Sequence, residues 1–297
     1  MKRLLLSLVM VVATTAIFLG PPLRAAFAAT NVDIVIGRAE LHPTAQALAF
    51  MLKSPEDELL ADKKKMKLWA TYYHMPTVRP SWTSVAAKPL IGKNGKAVSP
   101  PLSIEDWCDA AMQGSIWVDN GKDAPQAFMY VDSRGPEQVV CDKHFGTLSE
   151  RIKSATRRAR FQPFYHPQAC DVRTIPLMAF RTIAVDRERI KLGTALYIPK
   201  LRGKTFWNNG EIFVHDGYVI ASDTGGAIED NHIDMFVADA NVEPFPDIVR
   251  SNPRHTFDAY LVDKNDPAAL ALKDAGDEIC KNSDRPGRPR KKTSSVI

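Results

Sequence analysis

Apolar positions change their period along the chain. Between residues 30 and 66 they recur at three-to-four spacing, in PTAQALAFMLKS and again in SPEDELLADKKKMK. Pro55 follows Ser54 as an N1 proline follows its cap. Two short helices are predicted there. KLWATYYHM, from Lys67, reads as a strand. Residues 76–172 mix signals. LSIEDWCDAAMQG reads as a helix capped by Ser103 with Asp106 at N3. SIWVD and AFMYVD read as strands, and LSERIKSATRRARF as a short helix or an ordered loop. The chain then turns β-rich. RTIAVD (181–186) alternates, LGTALYIP (192–199) is a strand closed by proline, and HIDMFVAD (232–239) is the last strong strand. EIFVHDGYVIASD (211–223) carries a hairpin signal, because Asp216-Gly217 suits a turn with positive φ. A mainly β fold follows, with a mixed α/β insertion and a helical N-terminal extension at 29–66.

The 297 residues suffice for one large domain or two small ones. The first 28 fall outside that count. Lys2 and Arg3 precede a long apolar run, and AFA at Ala26–Ala28 offers small residues where a signal peptidase cuts. A leader cleaved after Ala28 is expected, the alternative being a retained membrane anchor. The remaining chain has 36 basic and 34 acidic residues, a net of +2. Five of those bases stand in the tail 284–297, DRPGRPRKKTSSVI, which is expected to be disordered. The body is therefore slightly acidic, and a nucleic-acid partner is not indicated. Four cysteines, Cys108, Cys141, Cys170 and Cys280, allow three pairings in an exported protein. Cys108–Cys141 is the first choice, since both belong to the insertion; free buried thiols are the alternative.

Several chemistries are missing from the motifs. There is no GxSxG elbow, phosphate-binding glycine loop or HExxH, and the seven histidines lack metal-ligand spacing. No metal or cofactor is expected. Carboxylates remain. On a strand over 232–237, Ile233, Met235 and Val237 share one face, and His232, Asp234 and Phe236 the other. Asp186 ends its strand on the parity opposite Ile183 and Val185, and Asp223 ends the predicted hairpin before Gly225-Gly226. Periodicity alone leaves two readings for the three aspartates, a shared site or separate turn caps.

The string RTIAVDRERIKLGTALYIP, followed by ASDTGGAIEDNHIDMFV, resembles the 3D domain, named for its three aspartates and found in MltA-type lytic transglycosylases. LWATYYH resembles that family's opening strand. The resemblance implies a six-stranded double-psi β-barrel over 67–240, interrupted by the insertion at about 76–172 and followed by a C-terminal extension at 241–283. It implies a peptidoglycan lytic transglycosylase that cleaves between N-acetylmuramic acid and N-acetylglucosamine and leaves a 1,6-anhydro sugar. Asp234 would be the acid, Asp223 its supporting carboxylate, and Asp186 a holder of the hydrogen-bond network. Tyr72, Tyr73 and Trp207 are candidate sugar-stacking residues, with core packing as the alternative for each, and Thr224, Gly225, His232 and Phe236 are further candidate sugar contacts. The protein would act on glycan strands as a periplasmic or secreted monomer with no membrane span after leader cleavage. One departure stands out: Glu229-Asp230 follows DTGGAI where the family has Lys-Gly. The alternative function is a non-catalytic, expansin-like wall-binding module, since fold does not fix function.

Overall fold

A computed structural model describes residues 43–55, 60, 65–143, 149–164, 175–208, 210–238 and 244–281. The leader, the basic tail, Cys170 and most of the second predicted N-terminal helix lie outside these residues. In chain order the described elements begin with helix α1 (Pro43–Leu48) and strand β1 (Lys65–Tyr73). The insertion supplies β2 (Thr77–Val78), β3 (Lys88–Ile91), β4 (Ala97–Leu102), α2 (Ile104–Gln113), β5 (Ser115–Val118), β6 (Gln126–Asp132), α3 (Glu150–Arg157) and β7 (Arg160–Phe164). The remainder comprises β8 (Thr182–Val185), β9 (Ala195–Tyr197), β10 (Thr205–Asn208), β11 (Glu211–Val214), β12 (Tyr218–Asp223), β13 (His232–Phe236), α4 (Pro246–Val249), β14 (Phe257–Leu261) and α5 (Pro267–Lys281). The fold is mainly β with helices, as the alternation predicts.

Six strands close into a barrel in the order β1-β13-β8-β12-β9-β14. Two neighbouring pairs, β1 with β13 and β8 with β12, run parallel; the others run antiparallel. Period-two alternation fills the interior. Leu68 and Ala70, Ile183 and Val185, Leu196, Val219 and Ala221, Ile233 and Met235, and Phe257 and Ala259 meet in one cluster, so each strand sends alternate residues inward. Burying each large side chain among them contributes roughly 1.5–3 kcal/mol. The outer faces are covered in two places. Tyr197, Tyr218, Ile220 and Tyr260 pack under Leu272 and the alanines of α5. Tyr73, Ala184, Ile228 and Phe236 pack against Ala127, Met129 and Phe164 of the insertion.

The insertion builds its own core. A four-stranded sheet, β2-β5-β6-β7, and the β3–β4 hairpin enclose Trp107, Ile116, Phe128 and Phe161. Ser103 caps α2 by accepting the Asp106 amide, the contact its sequence predicts. LSERIKSATRRARF resolves into helix α3, capped by Ser149, followed by β7. Cys108 and Cys141 form a disulfide with Cα atoms 5.4 Å apart, the expected pairing, and Cys280 is also disulfide-bonded.

Three expectations change. The barrel does not end at residue 240, because its sixth strand is Phe257–Leu261, placed between β9 and β1. FDAYL carries the same signal as the other strands, with Phe257 and Ala259 turned to the core and Asn252-Pro253 and Asn265-Asp266-Pro267 bounding it, and the reading passed over it. Lys65-Met66, grouped with the second helix by spacing, are already strand, paired with Tyr260 and Ala259. Residues 211–223 are not a hairpin either: β11 pairs back to β10, while β12 joins the barrel. The turn residues there have another use. Asp216 is buried and receives two hydrogen bonds from the guanidinium of Arg181, itself buried, which also donates to Ala47 and Tyr218 carbonyls. Asp216 further accepts the Leu52 amide and so clamps the segment after α1 to the barrel. Gly217 has φ of +96°, and a Cβ there would lie 2.5 Å from the Tyr197 ring.

Candidate active site

The parallel register of β1 and β13 sets three residue pairs side by side on the outer face: Trp69 with His232, Thr71 with Asp234, and Tyr73 with Phe236. Their neighbours Leu68, Ala70, Ile233 and Met235 point into the barrel core, so alternation forces this second set outward. Strand β8 runs beside β13, and there Ala184 stands opposite Asp234. On its other side β8 meets β12, where Ala184 stands opposite Asp223. Two carboxylates thus flank one methyl group across three strands, with backbones roughly 10 Å apart at the ordinary strand spacing.

Asp223 reaches this face through a bulge. Ala221 faces the core, so strict alternation would turn Asp223 inward as well. The register shifts between Ala221 and Asp223, leaving Ser222 as the extra residue and re-aiming Asp223 outward. Ser222 is buried, and among the described residues its hydroxyl finds no hydrogen-bond partner, the cost of this local disruption.

The two carboxylates stand in different surroundings. Asp223 accepts the Tyr73 hydroxyl on Oδ2 at 2.9 Å and the Thr224 amide on Oδ1 at 2.8 Å. Asp234 is half-buried and accepts from Thr71 on Oδ1 at 2.6 Å; among the described residues no other group bonds it. Burial pushes the Asp234 carboxyl up to about 7, the Thr71 hydrogen bond opposes this, and the charge of Asp223 adds to it. A carboxylic acid that keeps its proton near neutral pH is a proton donor in waiting. His232 is buried, stacked on Trp69 with rings 3.6 Å apart and 5° from parallel, and lies 2.8 Å from the Thr71 hydroxyl. Burial drives its pKa down to about 4, so the ring is neutral.

The loop between the aspartates is tied on three sides. Asp186 accepts the Glu188 and Asp230 amides, both at 2.9 Å, and these bonds hold its carboxyl below the usual range. It therefore anchors loop backbone and makes no direct contact with Asp234. Ile228 plugs into the cluster shared with the insertion. Gly225 lies against it, and a Cβ there would meet Ile228 at 2.6 Å. From the insertion, Arg151 donates to the Gly226 carbonyl at 2.7 Å and to Glu229 at 2.6 Å. The departure at 229–230 thus has a local structural counterpart. Glu229 is paired with an arginine, and Asp230 takes a left-handed φ of +55°, where glycine is easiest. Neither is among the groups that raise Asp234.

The remaining candidates are distributed. Tyr72 packs against the barrel core, on the face opposite Asp234. Phe236 and the Tyr73 ring are buried together, 5.3 Å apart, and only the Tyr73 hydroxyl meets a site carboxylate. Thr224 is exposed and Gly225 half-buried beside Asp223. Trp207 stands on the β10–β11 hairpin, exposed beside Ile212. Sequence reasoning passed over Trp69, Thr71, Ala184, Ser222 and Arg151. The first two share the parity of Tyr73 in LWATYYH, a signal that was available; the bulge and the insertion contact left no trace in the pattern.

The three aspartates, and the loop that joins two of them, fall within one recognisable sequence unit. Residues 181–242 match the family model of the 3D domain. The 3D-domain match includes Asp186, Asp223 and Asp234 but not β1, which brings Thr71 and Tyr73, nor the insertion. No curated protein sequence matches the chain. Among solved structures, it resembles Escherichia coli MltA with bound chitohexaose at 16% identity, over 66% of this chain and 71% of that one, with a TM-score of 0.43. It also resembles a membrane-bound lytic murein transglycosylase from Agrobacterium tumefaciens at 14% identity, over 70% and 76% of the two chains, with a TM-score of 0.44. For MltA from Neisseria gonorrhoeae the figures are 14%, 66% and 72%, and 0.40.

Proposed function

We propose that the protein is a peptidoglycan lytic transglycosylase in which Asp234 is the general acid and then the general base. The observation that carries this is the contrast between the two carboxylates. Both oxygens of Asp223 accept hydrogen bonds, whereas among the described residues Asp234 is bonded on Oδ1 alone, and it holds its proton to about pH 7. A hydrolase of sugars ordinarily needs two working carboxyl groups, one for the leaving oxygen and one as nucleophile or to activate water. One suffices if the sugar supplies its own nucleophile. Asp234 protonates the oxygen joining N-acetylmuramic acid to N-acetylglucosamine, the C1–O bond breaks, and N-acetylglucosamine leaves with a free 4-hydroxyl. The carboxylate then takes the proton of the muramic acid 6-hydroxyl as O6 bonds to C1. The acid is restored, no water is consumed, and the product ends in a 1,6-anhydro ring.

In this reading Asp223 is a fixed negative charge that helps hold the proton on Asp234 and steadies the positive charge developing at C1. Asp186 is a positioning residue for the loop. Thr224 and Gly225 border the glycan, while Tyr73 acts through its hydroxyl on Asp223 rather than by stacking. The ring order, with its two parallel pairs, supports a double-psi barrel. Disulfide bonding supports export to the periplasm or beyond, and among the described residues no helix is long and apolar enough to cross a membrane. The leader at 1–28, cleavage after Ala28 and a monomeric mature protein belong to the same proposal.

The test is a digest. The mature protein is incubated with purified peptidoglycan and the soluble products are weighed by mass spectrometry. Anhydro-muramic ends are expected. Hydrated ends would make it a hydrolase, and pull-down without release would make it a wall-binding module.

A further inference from the structure

A carboxylic acid has one proton and two oxygens, and only the oxygen turned toward the substrate can deliver it. We propose that Thr71, His232 and Trp69 are positioning residues that fix this proton order: His232, protonated on Nε2, donates to Thr71, Thr71 donates its single proton to Oδ1 of Asp234, and the acid's own proton is therefore carried on Oδ2. The inference rests on the reading of Asp234 as the acid, but the proton order can be observed without any glycan.

Two orders are compatible with the positions of the atoms. In the first, the chain of donors runs His232 Nε2–H to Thr71 to Asp234 Oδ1, using contacts of 2.8 and 2.6 Å. In the second, every donor reverses: Asp234 carries its proton on Oδ1 and donates to Thr71, Thr71 donates to Nε2, and Nδ1–H donates to the Ala227 carbonyl. That last contact is 3.4 Å long, beyond the usual 2.7–3.2 Å for an N–H donor, so it adds little. The 2.6 Å contact lies in the range of a hydroxyl donating to a carboxylate, which the first order allows whenever Asp234 is ionised and the second never does. A neutral imidazole has one N–H to give, and the first order assigns it to Nε2. The stack on Trp69 fixes the ring plane, so Nε2 stays within reach of Thr71.

The charged groups nearby do not disturb this chain. Asp223 faces Asp234 across Ala184 from β12; Asp186, Glu229 and Asp230 lie along the loop with Arg151 and Arg189. None of them bonds Thr71 or His232. Thr71 thus leaves the proton on Oδ2 in the acid form and donates to the carboxylate in the base form, without rearrangement between the two steps.

Protein labelled with 15N in histidine tests the assignment, because two-bond proton–nitrogen correlations distinguish the two tautomers. His232 is expected as Nε2–H at about pH 5.5 and at about pH 8.5, on either side of the Asp234 titration. An Nδ1–H ring, or a tautomer that switches as Asp234 ionises, would overturn the proposal. In parallel, the Asp234 carboxyl is followed by 13C NMR. Thr71→Val removes the donor that lowers this group and should move its midpoint up by about one pH unit, and Thr71→Ser should restore it. An unmoved midpoint in a folded Thr71→Val protein would also overturn it. Should that variant fail to fold, the wild-type tautomer decides alone. Because neither readout involves cleavage, an enzyme that releases no product would count against the proposed function and leave the proton order standing or falling on its own spectrum.

Discussion

Replacing Asp234 with asparagine should make the protein less active and, at alkaline pH, more stable. The side chain is half-buried, and its carboxyl titrates near 7 instead of 3.8 because burial and the charge of Asp223 both resist ionisation. A group whose pKa is raised by folding stabilises the native state below its unfolded value, and that contribution is lost as the pH climbs through the folded value. The window is therefore pH 4 to 7, with the full penalty present above about 7. At 1.36 kcal/mol per pH unit the shift corresponds to at most about 4 kcal/mol, and partial access to solvent brings the expectation to about 2 kcal/mol. Asparagine keeps the shape and can still accept from Thr71, but it does not ionise. Urea unfolding of both proteins, followed by tryptophan fluorescence, should show near-equal midpoints at about pH 4.5 and a more stable variant at about pH 8, while the rate falls 10²–10⁴-fold. An equal difference between the two proteins at both pH values would refute the claim that folding strains this carboxylate.

Other perturbations follow from the same geometry. Asp223→Asn removes a like charge from beside the acid and should move the alkaline limb of the pH–rate profile downward, a shift read from rates at saturating glycan. Arg181→Met would leave Asp216 buried without its bidentate partner and should cost about 3–5 kcal/mol by urea titration, although neither residue touches the site. Cys108→Ser should cost roughly 2–4 kcal/mol, with the loss concentrated in hydrogen exchange of the insertion while the amides of β13 and β8 stay protected.

Much of the barrel was legible in the chain. Period-two runs mark five of its six strands, because each has a core face and an outer face. Asp234 could be placed opposite Ile233 and Met235 by parity alone. What escaped was decided by tertiary partners. Phe257–Leu261 alternates like the other strands, but only its place between β9 and β1 makes it part of the barrel. Asp216-Gly217 has turn chemistry, yet Asp216 serves Arg181 in the interior. Parity fails at Asp223, where one extra residue, Ser222, reverses the facing. The outer face of β13 looked like an open groove wall, but His232 and Phe236 are covered, one by Trp69 and the other by Tyr73 and the insertion. No local pattern could show that Arg151, more than seventy residues earlier, holds the loop that carries Glu229.

The central claim is that one carboxyl group moves a proton twice and that water takes no part. A digest of peptidoglycan in water enriched in 18O, with mass spectrometry of the newly formed ends, tests it most directly. The account predicts anhydro-muramic ends that carry no heavy oxygen, and their loss in Asp234→Asn. Incorporation of one 18O at each new reducing end would contradict it, for a water molecule would then have attacked C1.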